Sequence, residues 1–120
     1  MLPRPHKLSA SSDFKEAIRK GARAGSSALV VHVRERDDLI TRGGPRFGLV
    51  VSKQVGNAVT RHAVSRKLRA VVMDNAVGEL DAQWDVVIRA LPPAAEASSA
   101  ELAAEFASSL QRAVRKANKR

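Results

Sequence analysis

A strand-like segment, a tight turn and an amphipathic helix follow one another between residues 47 and 73. Residues 47–52 (FGLVVS) are apolar and partly β-branched, which is typical of a strand. Gly56 permits a tight turn, and Asn57 is suited to cap the helix that follows. Over residues 58–73 apolar side chains recur at helical spacing, so one side of this helix should pack against a core. This part of the chain therefore predicts a strand and a helix that share one core.

The rest of the chain predicts more strands and two more helices. We place a short first helix at about 13–20 and a weak strand at about 22–24. Two long strands follow at about 28–33 and 84–90, and a terminal helix begins at about 98. The terminal helix opens with Ser98-x-x-Glu101, a capping-box pattern, and carries Leu102, Phe106 and Leu110 on one stripe. The element order α-β-β-β-α-β-α predicts an α+β fold, an α/β sandwich.

Length and composition bound the kind of protein. With 120 residues and a mass of 12.9 kDa, the chain is long enough for one domain and short for two. We predict a single domain over 1–120, with a loose basic lead-in at 1–10 and a tail at 116–120 that frays. The absence of cysteine excludes disulfides and thiolate metal sites. The sequence shows neither a run of roughly 20 apolar residues nor a secretory signal, so we expect a cytoplasmic protein.

Positive charge is concentrated in the middle of the chain. The formal net charge is +9, and residues 39–73 carry seven of the 21 Lys and Arg residues but no Asp or Glu. Such a stretch suits a surface that meets phosphates, although it also arises by chance in a basic protein. Charge alone fits either nucleic acid or an anionic membrane. The sequence has one Trp, three Phe and no Tyr, which disfavours a surface built on rows of stacked bases.

Candidate catalytic and metal-binding groups are few. The three histidines are His6, His32 and His62, and no two of them have the spacing of metal ligands. We interpret His32, in the middle of a strand, as a hydrogen-bonded structural residue. Positive neighbours on the basic helix disfavour protonation of His62, but a neutral imidazole can donate a hydrogen bond to RNA. We assign loop and cap roles to the carboxylate pair Asp81/Asp85. The residues therefore predict a binding protein with no catalytic or metal-ligating residue.

The segment 53–69 resembles the signature of the bacterial ribonuclease P protein component family, K-x-x-G-N-A-V-x-R-N-x-x-K-R-x-x-R. The matching positions are Lys53, Gly56, Asn57, Ala58, Val59, Arg61, Arg66 and Arg69. The departures are His62 at the usual Asn, Ala63 where Arg is common and Ser65 at the usual Lys. These departures remove two cations from the motif. Further features follow one another along the chain in the same order as in that family, namely Phe14, Gly21, the 46–53 strand, Trp84-Asp85 and the terminal helix.

The resemblance implies a ribosomal-protein-like fold with a left-handed βαβ crossover. It also implies that the chain is the RNA-binding protein subunit of an endoribonuclease. In that family the catalytic RNA carries the chemistry and cuts precursor tRNA at the mature 5′ end, using Mg²⁺. The protein itself is expected to hold no cofactor. By the same resemblance, the basic helix binds the RNA core. A cleft between the first helix, the sheet and the basic helix binds the single-stranded 5′ leader.

The resemblance and the charge layout together predict individual contact residues. Those expected to bind RNA are Lys53, Asn57, Arg61, His62, Ser65, Arg66 and Arg69. Phe14 and Ile18, about one turn apart, are expected to line the leader cleft, with core packing of Phe14 as an equal alternative. Arg42 and Arg46 would extend the basic field. If Arg61 and Arg69 contact phosphates, replacing either with Ala should flatten the salt dependence of binding by roughly one unit of slope.

Three alternatives remain open from the sequence. A ribosomal or chaperone-type protein would bind RNA without promoting cleavage, and a precursor-tRNA cleavage assay separates these two functions. A DNA-binding protein would place residues 58–72 in the major groove, but such proteins usually have a helix, not a strand, before that helix. A membrane-surface or acidic-protein adaptor is disfavoured because the basic helix lacks Trp and Phe on its apolar face. We therefore expect no membrane partner.

Overall fold

Two long helices pack on a four-stranded mixed sheet in the computed structural model, which describes residues 18–19, 21–35, 46–75 and 84–118. The strands are β1 (Ala22–Gly25), β2 (Leu29–Glu35), β3 (Arg46–Val50) and β4 (Trp84–Ala90). The helices are α1 (Ala58–Asn75) and α2 (Ser99–Asn118), and a short 3₁₀ helix, Pro92–Ala95, precedes α2. Ile18 and Arg19 are also helical. The predicted lead-in at 1–10, Phe14, Arg42 and Asp81 lie outside the described residues.

The strand order in the sheet is β1-β2-β4-β3. β2 pairs antiparallel with both β1 and β4, whereas β3 pairs parallel with β4. Because β3 and β4 run in the same direction, α1 is the helical crossover of a βαβ unit. The α+β fold and the order of its described elements are therefore confirmed, and the left hand of the crossover stays a prediction.

One face of the sheet and the apolar stripes of both helices form the core. Alternate strand residues point to opposite faces, so Val31, Phe47 and Ile88 share the core face and are fully buried. The stripes predicted from helical spacing are buried in the same cluster: Val64, Leu68, Val71 and Val72 from α1, and Leu102, Phe106, Leu110 and Ala113 from α2. The opposite face of the sheet carries Arg23, His32 and Arg89, whose positions alternate with core residues.

Both helices begin with the caps that the sequence predicts. At the start of α1, the Thr60 amide donates to Asn57 Oδ1 at 2.9 Å. At the start of α2, the Ser98 amide donates to Glu101 Oε1 at 3.0 Å, and the Glu101 amide donates to Ser98 Oγ at 3.1 Å. These bonds satisfy amides that have no partner within the helix. The hydrogen bonds from Ser98 also lower the pKa of Glu101.

Glu105 of α2 holds the turn between β1 and β2. Its Oε1 accepts hydrogen bonds from Ser26 Oγ at 2.6 Å and from the buried Ala28 amide at 2.8 Å, and Ser27 Oγ lies at 3.3 Å. The Ser26 hydroxyl is the largest cause of the lowered pKa of Glu105, because its hydrogen bond favours the ionised carboxylate. The sequence offered no sign of this long-range contact, which joins residues far apart in the chain.

Cations near the end of α2 bind the edge of β1. Arg112 Nη2 donates to the Gly25 carbonyl at 2.9 Å, and Lys116 Nζ donates to the Arg23 carbonyl at 3.0 Å. These side chains occupy carbonyl groups of an edge strand that a further strand would otherwise pair with. The tail predicted at 116–120 thus begins inside α2, which continues to Asn118. Neither of the two helices just described combines the length and apolarity of a membrane span.

Candidate nucleic-acid interface

The predicted contact residues of α1 occupy two neighbouring rows on its outer side. Arg61, Ser65 and Arg69 follow one another at intervals of four and are partly buried beside the core stripe. His62 and Arg66 form the next row and are exposed. Residues four apart lie on the same side of a helix, so the two rows make one continuous surface. Lys53 and Asn57, both exposed, precede the first turn of this helix. The structure therefore brings the predicted α1 residues together.

The cations of this surface are not engaged within the described part of the chain. The ion pairs there join Asp85 to Arg34 and to Arg46, and they include no residue of α1. Lys67 differs from its neighbour Arg66, because its Nζ donates to the Ala97 carbonyl at 3.2 Å. Most of the positive charge on α1 is thus available to a polyanion rather than balanced internally.

Arg61 has an unsatisfied donor at the start of α1. Its Nε is buried and has no hydrogen-bond partner among the described residues. A buried N–H without an acceptor costs free energy, and such groups are usually satisfied by water or a ligand. Arg61 lies in the first turn, where free backbone amides and the positive end of the helix dipole also favour an anion. The first turn of α1 is therefore suited to a phosphate, whereas the buried Nε itself is not accessible to one.

An open pocket of about 590 Å³ lies where the parallel strands β3 and β4 end. Lys53 and Arg89 line it together with Ser52 and Gln54. The carboxyl ends of parallel strands are a common place for ligands in sheets that carry helices. Arg89 is a functional candidate that the sequence analysis missed. Its signal was an exposed cation in an otherwise buried strand, since residues 84–88 and Ala90 are buried.

His32 lies on the face of the sheet that carries Arg23 and Arg89. It is 2% exposed, and neither ring nitrogen has a hydrogen-bond partner among the described residues. The interpretation of His32 as a hydrogen-bonded histidine is therefore wrong. Burial lowers the pKa of His32, and the nearby charges of Arg89 and Arg23 lower it further. Both causes favour the neutral imidazole, which can donate one hydrogen bond and accept one.

Asp85 is a buried carboxylate at the centre of an arginine cluster. Arg46 donates to it through Nε and Nη2, each at 2.9 Å, and Arg34 Nη2 lies 3.8 Å from Oδ2. The cap role that the sequence analysis assigned to Asp85 is wrong, because the residue lies within β4 and is completely buried. Arg46 adds less to the basic field than predicted, since its charge is balanced by a bidentate pair.

Of the two residues predicted to line the leader cleft, Ile18 is the one that the structure describes. Its side chain is 41% exposed and lines an open pocket beside β1, together with Arg23. Phe14 lies outside the described residues, so its two interpretations both stay predictions. An exposed isoleucine beside cations can contact the apolar part of a nucleotide while its neighbours contact phosphate.

The chemistry of this surface favours binding. Its side chains are mainly hydrogen-bond donors and cations, which complement phosphates and repel metal ions. Among the described residues, no three His, Asp or Glu side chains gather in an arrangement that could hold a metal. The surface does not fit a Mg²⁺ site, whose ligands would be carboxylate, carbonyl or phosphate oxygens.

The chain is similar to known proteins of one family. The sequence model of the family described as Ribonuclease P matches residues 2–114. The ribonuclease P protein component of Corynebacterium diphtheriae is 56% identical over 119 residues, which cover 97% of this chain and 99% of that protein. The protein of the same name from Rhodococcus opacus is 51% identical over 115 residues, which cover 93% and 91% of the two chains.

Solved structures share the fold. The ribonuclease P protein of Staphylococcus aureus superimposes with a TM-score of 0.76 at 24% identity, over 90% of this chain and 94% of that one. The corresponding protein of Thermotoga maritima superimposes with a TM-score of 0.71 at 20% identity, over 91% and 96%. At these identities the superposition supports the fold, and the closer sequence relatives support the family.

Proposed function

The chain belongs to the ribonuclease P protein family, and from this premise we propose that the outer surface of α1 binds the catalytic RNA. The chain acts with the ribonuclease P RNA as the protein subunit of a ribonucleoprotein endoribonuclease, which removes the 5′ leader of tRNA precursors. Our proposal assigns the contacts to Lys53, to Arg61 and Arg69 on one row of α1, and to Arg66 on the next row. His62 and Ser65 lie between these cations and would add hydrogen bonds.

The assignment of α1 as the RNA-binding surface rests on the state of its outer cations. Its outer cations form no ion pair with any residue that the structure describes, whereas Arg46 and Lys67 are each engaged by an acceptor within the fold. An arginine whose charge is not balanced by the protein gains more from a phosphate than one already paired with a carboxylate. The unpaired cations of α1 all belong to the segment that the family signature marks.

We propose that the precursor tRNA is bound through its single-stranded leader on the sheet face that carries Arg89 and His32. Ile18 stands beside this face, and the Lys53–Arg89 pocket lies at its other side. The two pockets place cations at both sides of this face, which suits a negatively charged strand. We also propose that the holoenzyme works in the cytoplasm, where bacterial tRNA precursors are made.

We propose that the Mg²⁺ of the reaction is held by RNA. The cations of α1 would lower the repulsion between phosphates of the catalytic RNA and of the substrate, so that both assemble at lower ionic strength. In this proposal the side chains of the protein bind and orient RNA, and none of them touches the scissile bond.

The assignment is tested with the neighbours Arg66 and Lys67. We expect Arg66→Gln to weaken binding of the catalytic RNA by about fivefold, the upper range for an exposed ion pair. We expect it to flatten the slope of log K against log salt by about 0.7 to 0.9. Lys67→Gln is the matched control, because it removes the same charge from the adjacent position of α1. Its Nζ already bonds the Ala97 carbonyl and the residue lies outside the two outer rows, so the slope should change less than with Arg66→Gln.

The same samples are assayed for cleavage of precursor tRNA by the catalytic RNA at low Mg²⁺, with and without protein. We expect the wild-type protein and Lys67→Gln to stimulate cleavage and Arg66→Gln to stimulate it less. Equal slopes for the two variants would remove α1 as the contact surface. RNA binding without any stimulation of cleavage would instead favour a chaperone-type RNA-binding protein.

A further inference from the structure

We propose that Val59 and Met73 mark an apolar ridge on α1 that packs against sugar and base surfaces of the catalytic RNA. The inference rests on the proposed function, because it requires the outer surface of α1 to meet that RNA. It extends the proposed function, since none of the contacts assigned to α1 uses either residue. The ridge would respond to the shape of the RNA, whereas the cations beside it respond to the charge of the phosphates.

Val59 has no role in the described fold that accounts for its chemistry. Its side chain is 80% exposed in the first turn of α1, so it packs against no part of the core. A β-branched residue also lowers the helix propensity of the segment that contains it. Neither core packing nor helix formation therefore explains a valine at this position. A single exposed apolar residue is common, so the argument depends on what lies beside it.

The outward apolar residues of α1 lie along one line. Val59 and the 41% exposed Met73 are separated by nearly four full turns of the helix, so they face almost the same direction. Ala63 and Ala70 lie on the same line between them, the first partly buried and the second exposed. These four residues form the apolar ridge, which is about 21 Å long from end to end.

Arg66 lies at the middle of the apolar ridge. It is two turns from Val59 and two turns from Met73, which places it about 10 Å along the axis from each. The helix thus presents an exposed cation between two apolar side chains. RNA offers a matching arrangement, because phosphates are separated by sugars and bases. The wide, shallow minor groove of an RNA helix displays sugars and base edges to a surface of this kind.

The charges around the apolar ridge favour RNA as its occupant. The row that holds Arg61 and Arg69 runs along one side of the ridge, and Asp74 is the one acidic residue in the sequence of α1. A polyanion can therefore cover the ridge and the cations in a single interface. A membrane surface would need large side chains such as Trp or Phe on this face, and α1 contains neither. The small side chains of Ala63 and Ala70 let an RNA surface approach the helix closely.

The test measures the affinity of full-length variants for the catalytic RNA over a series of salt concentrations. Val59→Ala should weaken binding by about fivefold at every salt concentration, because less apolar surface is buried. The slope of log K against log salt should keep its wild-type value, since no phosphate contact is lost. Val59→Thr keeps the shape of the side chain but replaces a methyl group with a hydroxyl, and it should also weaken binding. Met73→Gln should weaken binding by about threefold, again without a change of slope.

Gln111→Ala is the control, because it shortens an exposed side chain of α2, away from the proposed RNA surface. It should change neither the affinity nor the slope. Alanine is a better helix former than valine, so Val59→Ala should not lower the free energy of unfolding measured in urea. A loss of RNA affinity in this variant therefore does not arise from unfolding.

The inference is overturned if Val59→Ala and Met73→Gln bind RNA as tightly as the wild type, or if Gln111→Ala loses as much affinity as they do. It is also overturned if their salt slope flattens as it does with Arg66→Gln, or if they change only the self-association of the free protein in sedimentation. Failure of the proposed function would be seen separately, as an Arg66→Gln protein that keeps the wild-type slope.

Discussion

The two long helices have the same design but use their polar side chains differently. Each begins with a side-chain cap and buries one apolar stripe against the sheet. In α2, Glu105, Arg112 and Lys116 reach the backbone of β1 and of the turn after it. In α1, Lys67 alone among the cations forms a hydrogen bond with another described residue, and the others face outward. Of these two basic helices, one ties the fold together and the other presents charge.

The position of each helix relative to unpaired backbone groups explains the difference. α2 lies along β1, an edge strand whose outer carbonyls need donors, and it packs on β1 and β2. Buried or partly buried carbonyl and amide groups are costly to leave without partners, so the nearest cations and carboxylates serve them. The outer side of α1 faces no such groups in the described fold. Its arginines therefore remain for a ligand.

The largest effect that the comparison predicts is on stability and comes from α2. Glu105→Ala should lower the free energy of unfolding by about 2 kcal/mol, because the buried Ala28 amide loses its acceptor. Urea unfolding measures this loss. The pKa of Glu105 is lowered in the fold, so its contribution is present above the ordinary value of 4.5 and disappears as the pH falls through the lowered pKa.

Glu96→Ala is the matched control for Glu105→Ala. Glu96 is exposed and lies just before α2, and its replacement should leave the unfolding curve unchanged. Glu105→Ala should also leave the salt slope of RNA binding intact, because the residue lies away from α1. A changed slope would mean that α2 contributes to the RNA surface as well as to the stability of the fold.

Removing either helix cap should have a smaller effect on stability, and the effect on RNA binding should differ between the two helices. Asn57→Ala and Ser98→Ala should each cost about 1 kcal/mol of stability, since each removes an acceptor from the first turn. Only Asn57→Ala should also weaken RNA binding, because the cap holds the turn that positions Lys53 and Arg61. Thermal unfolding and RNA titration of both variants, under conditions where both are folded, check this difference. Equal RNA affinity for the two variants would contradict a role for the start of α1.

The smallest effect concerns the sheet face that carries His32. The pKa of His32 is lowered in the fold, so the unfolded chain binds a proton more readily than the folded one below the ordinary value of 6.5. Stability should therefore fall as the pH drops through 6.5 towards the lowered pKa. His32→Leu removes the titrating group and should show a shallower fall in this window. Urea midpoints measured across the window for both proteins test the prediction, which fails if the two curves run in parallel.

Local pattern was sufficient for most elements of this fold. The helical spacing of Val64, Leu68 and Val71 correctly located the buried side of α1, and Ser98 with Glu101 correctly located the start of α2. Strand limits differed by a few residues, as β2 extends to Glu35 and β3 ends at Val50. Strand ends depend on pairing with neighbouring strands, which a single segment does not contain.

The residues of the site could be predicted only in part from the sequence. The rows of Arg61 and Arg66 follow from spacing within one helix, and the family signature marked them. Arg89 and Asp85 were missed or misassigned because their environments come from strands far away in the chain. Asp85 meets Arg46 only through the parallel pairing of β3 and β4. His32 was misassigned for the same reason, since its hydrogen-bonding state depends on what packs around it.

The amino-acid sequence alone determined the amphipathic helices, their caps and the concentration of cations between residues 39 and 73, because each depends on neighbours within a few residues. Tertiary structure decided which cations are already engaged and which face outward. That distinction depends on distances between groups that lie far apart in the chain, as with Lys116 and the carbonyl of Arg23. Charge is a property of the residue, but its availability to a partner is a property of the fold.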